Sequence, residues 1–132
     1  MPTTRVAIVA TEGFSTFHLS VPLILFGETG AETQLFTRLL CAERPGLVWS
    51  KDGTAVKADY DFVALESADI VVVPFWKDID ERPSPLLLTS LINARNNGAT
   101  LVGLCLGTFV LAHAGLLDGL RASTHWAFEA LF

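Results

Sequence analysis

Three short runs in this chain are apolar almost without interruption: Arg5 to Ala10 (RVAIVA), Asp69 to Val73 (DIVVV) and Ala99 to Leu104 (ATLVGL). A strand with one wet face alternates apolar and polar residues. A strand that does not alternate must be covered on both faces, as in a parallel sheet wrapped by helices. The segments between the runs read as helices. Ser84-Pro85 offers a capping hydroxyl and a proline for the first turn. Leu87, Leu88, Leu91, Ile92 and Arg95 then keep helical spacing, and Asn96-Asn97-Gly98 ends it. Upstream, Ser15 to Ser20 leads into VPLILFG, where Pro22 is tolerable only near a helix start or at a kink, and Gly27 and Gly30 end the segment. Gln34 to Ala42 reads as a second strand. Leu47 to Ala58 carries Asp52-Gly53 between two short β-like runs, a hairpin signal. Gly107 to Leu117 reads as a helix ended by Asp118-Gly119. Arg121 to Ser123 reads as the start of a short strand and Ala127 to Phe132 as a last helix. Strands alternating with helices imply βαβ units and an α/β fold with a mostly parallel sheet. With no linker or internal repeat, residues 1–132 read as one domain.

Composition narrows the function classes. Half the residues are apolar (51%), enough for a core, and the net charge is -5. The lysines and arginines are scattered, so the chain itself offers no grip on a nucleic acid backbone. Its two cysteines, Cys41 and Cys105, sit in apolar flanks, as expected of reduced thiols in a cytoplasmic protein. The apolar run VAIVA is too short for a signal peptide. The stretch Leu101 to Leu117 has no formal charge but is glycine-rich and short for a membrane span, so a buried strand and helix account for it better. No set of His, Cys, Asp and Glu has metal-ligand spacing, so neither a metal nor a cofactor is expected.

Gly103-Leu104-Cys105-Leu106-Gly107 is a G-x-nucleophile-x-G pattern between an expected strand and an expected helix, the arrangement of a nucleophile elbow. Such a turn is too tight for neighbouring side chains. Its middle residue projects at the carboxyl edge of the sheet, where open α/β sheets bind ligands. The start of the following helix would favour thiolate over thiol. The competing reading is a small buried hydrophobe, the usual fate of a free cysteine. His125 follows the next expected strand and could reach the same edge to pair with Cys105, although a loop histidine satisfied by a carbonyl fits the spacing equally. His18 could also face this pocket, with surface exposure the blander alternative. His113 reads as structural. Phe75 and Trp76, at the end of a central strand, would wall the pocket. Leu106 and Gly107 complete the ligand-binding candidates, with the Leu106 N–H placed to stabilise developing charge.

The run from Gly103 to Trp126, GLCLGTFVLAHAGLLDGLRASTHW, resembles the elbow block of the ThiJ/PfpI-like, class I glutamine-amidotransferase-like superfamily. It is most similar to the branch that forms the N-terminal domain of AraC-type transcription regulators. DIVVVPFWKDID resembles that branch's strand end, and FSTFHLSVPLILFG its first helix. The resemblance implies a flavodoxin-like sandwich and, commonly, a dimer. It carries the family's reactive cysteine onto Cys105 and its histidine onto His125. Three readings follow from it and from the thiol. One is a small-molecule-sensing domain of an AraC-type regulator, without the DNA-binding part. The second is a cysteine-dependent hydratase or amidase acting on a small carbon–nitrogen substrate. The third is a thiol redox sensor. Two departures favour binding over turnover. Family enzymes usually place an acid where His18 stands, and many members have glycine where Phe75 stands. The family domain also normally continues beyond the THW block, so the C-terminal end is expected to be truncated or completed by another copy.

Overall fold

The computed structural model describes residues 3–26, 36–104 and 106–116. Its centre is a parallel five-stranded sheet. The strands are β1 (Thr4–Val9), β2 (Phe36–Ala42), β5 (Tyr60–Asp61), β6 (Ile70–Val73) and β7 (Thr100–Gly103), in the spatial order β5-β2-β1-β6-β7. Ile8 on the central strand pairs with Leu40 on one side and Val72 on the other. Successive residues of β1 therefore enter opposite cores, which explains why RVAIVA does not alternate. Ala7 and Val9 join Val71, Val73, Leu87 and Leu91 on one face. Val6 and Ile8 join Val72, Phe14 and Leu19 on the other.

Helix α1 (Thr16–Leu25) covers the second face. Pro22 lies inside α1, in its last turn, rather than near its start, and its carbonyl still accepts from Phe26 N at 3.0 Å. The lost N–H is confined to one bond, and the buried ring adds apolar area. Helix α2 (Pro85–Asn96) covers the first face and opens as its sequence suggests: Ser84 Oγ accepts from Leu87 N at 3.2 Å. The same face carries α3 (Gly107–His113) and a 3-10 turn (Phe62–Ser67), started by Asp61 Oδ1 accepting from Val63 N. Nothing in the sequence pattern marks that turn or the two-residue β5.

The Asp52-Gly53 signal produces an antiparallel hairpin of β3 (Gly46–Trp49) and β4 (Ala55–Ala58), with Gly53 at φ 88°. It docks on the loop after β1: Gly13 N donates to Trp49 O at 2.9 Å, and Lys51 N to Phe14 O at 3.0 Å. Asp52 Oδ1 accepts from Thr16 Oγ1, at 2.8 Å, so the hairpin tip holds the first turn of α1. The uncharged run from Leu101 is divided between β7 and α3, and no described helix is long and apolar enough to cross a membrane. The strand and helix expected after Leu116 lie outside the described residues.

Candidate functional site

The carboxyl ends of β1, β6 and β7 converge where chain connections leave the sheet in opposite directions, the usual ligand position of an open α/β sheet. The G-x-C-x-G segment spans the step from β7 to α3. Its two glycines are dictated by close approach. A Cβ on Gly107 would lie 1.9 Å from the carbonyl oxygen of Val73, and one on Gly103 would lie 2.9 Å from Thr108 Cα. The same Val73 carbonyl accepts from Leu104 N at 3.0 Å, and Gly107 N donates to Leu104 O at 2.8 Å. The end of β6 and the start of α3 are thus locked together, with no room for side chains at either glycine.

The site candidates fall into three groups. Cys105 and His125 lie outside the described residues. Around His18 the structure assembles a cluster on the α1 face. Its Nδ1 is 2.8 Å from Ser15 Oγ, and its ring stacks on Phe75 at 5.9 Å between centroids. Lys51, from the hairpin tip, places its Nζ 5.5 Å from the Phe75 ring centre, a cation–π distance. Leu106 is half-buried and packs toward both cores, while the Gly107 N–H is already committed to Leu104. His113 takes the structural role expected of it, its Nε2 lying 3.3 Å from Ile79 O.

Trp76 belongs elsewhere. Although adjacent to Phe75, it packs into the core beneath α2, and its Nε1–H donates to Glu81 O at 2.9 Å. It lines a cavity of about 540 Å³ at the carboxyl ends of β1 and β2, a size suited to a small molecule. His18, Phe75, Leu106 and Gly107 are not among the residues lining that cavity. The structure therefore divides the residues expected to wall one pocket. Phe75 and His18 meet on the α1 side, and Trp76 faces a separate recess on the α2 side.

Sequence reasoning missed Ser15, Lys51 and the charged rim of that recess. Ser15 and His18 are three apart at a helix start, a spacing that could have suggested the pair. Lys51 has no such signal, because only the docking of the hairpin brings it over Phe75. His18→Ala should cost about 1–2 kcal/mol, the combined scale of one hydrogen bond and one ring stack. Urea unfolding checks this, and an unchanged midpoint would contradict the described cluster.

Cys41 has a quite different environment. It is fully buried on β2, its Sγ–H donates to Leu39 O at 3.4 Å, and its pKa is pushed up to about 12. Desolvation is the main cause, with Asp61 adding to it and Arg5 opposing.

The sequence matches the DJ-1/PfpI family over residues 4–131. The chain belongs to that family. The DJ-1/PfpI fold is equally clear in structure: the oxidized DJ-1 of Toxoplasma gondii superposes with a TM-score of 0.82 over 98% of this chain and 71% of its own, at 20% identity. An uncharacterized protein in the cpoL 5' region of Streptomyces lividans is 30% identical over 96% of this chain and 90% of its own length. The HTH-type transcriptional regulator CdhR of Pseudomonas aeruginosa is 37% identical over 61% of this chain and 24% of its own. An isonitrile hydratase of Pseudomonas putida is 32% identical over 64% of this chain and 37% of its own. This chain thus aligns with most of the Streptomyces protein but with only 24% of the regulator and 37% of the hydratase.

Proposed function

We propose that this DJ-1/PfpI domain senses a small molecule as the regulatory domain of an AraC-type transcription regulator. The observation that carries the reading is the His18–Phe75 pair. Where family enzymes hold a carboxyl group and a glycine, this chain holds an imidazole tied to Ser15 and stacked on an aromatic ring. An imidazole cannot act as a protonated-carboxyl partner for the thiol of Cys105. A phenylalanine resists the backbone angles through which glycine can present an oxyanion-binding N–H. What remains is a packed aromatic and cationic wall suited to binding. Similarity to an HTH-type regulator supports the same reading. The resemblance assigns Cys105 and His125 to the same binding role, and both lie outside the described residues.

The reading includes self-association. Among the described residues, α1 leaves Phe17 and Ile24 each 73% exposed, and Leu25 exposed beside them. That apolar stripe supplies area for a homodimer. A monomer by sedimentation would remove this part.

The test uses the natural gene product that carries this domain. A metabolite screen should find a compound that changes its DNA affinity about fivefold or more, the ordinary scale of allosteric coupling. His18→Ala should blunt that response without abolishing DNA binding. A product that binds DNA identically with and without every compound overturns the reading.

A second reading rests on the isonitrile hydratase relative. Here Cys105 Sγ attacks the terminal carbon of an isonitrile, and a histidine delivers the proton to that same carbon to give a thioimidate. Water then adds to the thioimidate carbon, with the thiol leaving and a proton passing to nitrogen as the formamide forms. Turnover that survives Cys105→Ala excludes this mechanism.

A further inference from the structure

The recess beside Trp76 has features that neither the thiol nor the His18 cluster uses. Its floor is apolar, formed by Ala10, Ala42, Phe62 and Leu87, with the Trp76 ring as a wall. Its rim carries three carboxylates and three cations. The carboxylates already have donors from the protein. Ser84 Oγ–H reaches Glu43 Oε2 at 2.7 Å, Trp49 N–H reaches Glu12 Oε2 at 3.3 Å, and Lys77 Nζ lies 3.5 Å from Glu81 Oε2. Arg44 and Arg82 line the same recess, both are exposed, and neither side chain has a hydrogen bond or ion pair to any described residue.

We propose that Arg44 and Arg82 make this recess a binding site for a small organic monocarboxylate whose apolar body lies on the Trp76 side. The proposal goes beyond the sensing reading: this recess is separate from the His18–Phe75 wall, and the proposal assigns it a ligand class of its own. A guanidinium presents paired N–H donors in a plane that matches a carboxylate, and such charge-assisted bonds are stronger than neutral ones. The rim's three carboxylates offset its three cations, so a dianion gains no net Coulombic advantage while incurring a larger desolvation penalty than a monoanion, which favours a carboxylate over a phosphate ester. The volume of about 540 Å³ accommodates a body larger than acetate, and the apolar floor rewards one. Arg44 and Arg82 reach the recess from different elements, the turn after β2 and the loop before α2. An occupant would therefore tie those two segments together, as a sensed ligand must if it is to bias one arrangement over another.

The experiment is calorimetric titration of the whole chain with hexanoate, hexanamide and hexyl phosphate. Hexanoate should bind saturably. Hexanamide, which has the same body without the charge, should bind about tenfold more weakly or worse, the loss expected for charge-assisted hydrogen bonds. Arg44→Gln and Arg82→Gln should each weaken hexanoate by a similar factor. Both side chains are exposed, so the variants should fold, which circular dichroism checks. Lys57→Gln, an exposed charge change outside the recess, should leave binding unchanged. The proposal is overturned if hexanoate gives no saturable heat, if both arginine variants bind like the parent, if Lys57→Gln weakens binding equally, or if hexyl phosphate binds more tightly than hexanoate. Arginine-dependent hexanoate binding with no effect of any compound on the DNA affinity of the natural gene product would keep this site and overturn the sensing reading. Metabolite-dependent DNA binding without hexanoate binding would do the reverse.

Discussion

Gly107→Ala should be strongly destabilising, lowering the urea midpoint far more than an ordinary surface change. The added methyl would meet the Val73 carbonyl oxygen at 1.9 Å, inside the van der Waals contact of any two atoms. That carbonyl cannot withdraw, because it accepts from Leu104 N and Val73 pairs with Gly103 in the sheet. The opposing partner is backbone, so no rotamer change relieves the clash. Overpacking of this kind costs about 3 kcal/mol or more, a large part of the roughly 5–15 kcal/mol that stabilises an ordinary domain. Gly98→Ala is the informative control. Gly98 has φ 97° but open space around the missing methyl, so only backbone strain of about 1–2 kcal/mol is expected. Urea midpoints distinguish the two, and equal values would mean that the approach of α3 to β6 is wrong.

Native thiol labelling should be almost wholly selective, with Cys105 alkylated near neutral pH at least about a hundredfold faster than Cys41. Burial alone suppresses Cys41, whose thiol keeps its proton until about pH 12 in the folded chain. The same shift sets a pH dependence. An unfolded Cys41 ionises near its ordinary 9.0, whereas the folded one does not, so between 9.0 and about 12 the unfolded state binds fewer protons. The stabilising contribution is complete below 9.0 and falls as pH rises through that window. Cys41→Ala should be less stable at neutral pH, yet lose less stability than the parent over that alkaline range. Mass spectrometry after brief iodoacetamide treatment checks the first expectation, and paired unfolding curves the second. Equal labelling of both cysteines would defeat the burial argument and the special status of Cys105 together.

Much of the fold was legible because it rests on local signals. The doubly buried runs gave β1, β6 and β7. Ser84-Pro85 gave the start of α2, and Asp52-Gly53 gave the hairpin. The two-residue β5 escaped because it depends on a neighbour, β2, that is distant in sequence, and the 3-10 turn escaped because its one local signal, the Asp61 cap, is a single side chain. Within the site, the glycines of the G-x-C-x-G segment were legible as a demand for close approach. The separation of Phe75 from Trp76 was less so. Adjacent residues continuing from a strand point to opposite faces, and that alternation sends one toward α1 and the other toward α2. Reading them as one wall ignored the pleat. Lys51, Arg44 and Arg82 carry no local signature, since each matters only through what the tertiary fold brings beside it.

The central place of β1 also has a consequence for biogenesis. Strand β1 precedes both of its neighbours in the chain: Val6 pairs with Arg38 on one side and with Ile70 on the other. Until those segments are synthesised, the nascent chain carries a greasy ribbon with open hydrogen-bonding edges. A slow parallel topology of this kind makes its emergence, more than its final stability, the stage most exposed to misassociation and most dependent on chaperones.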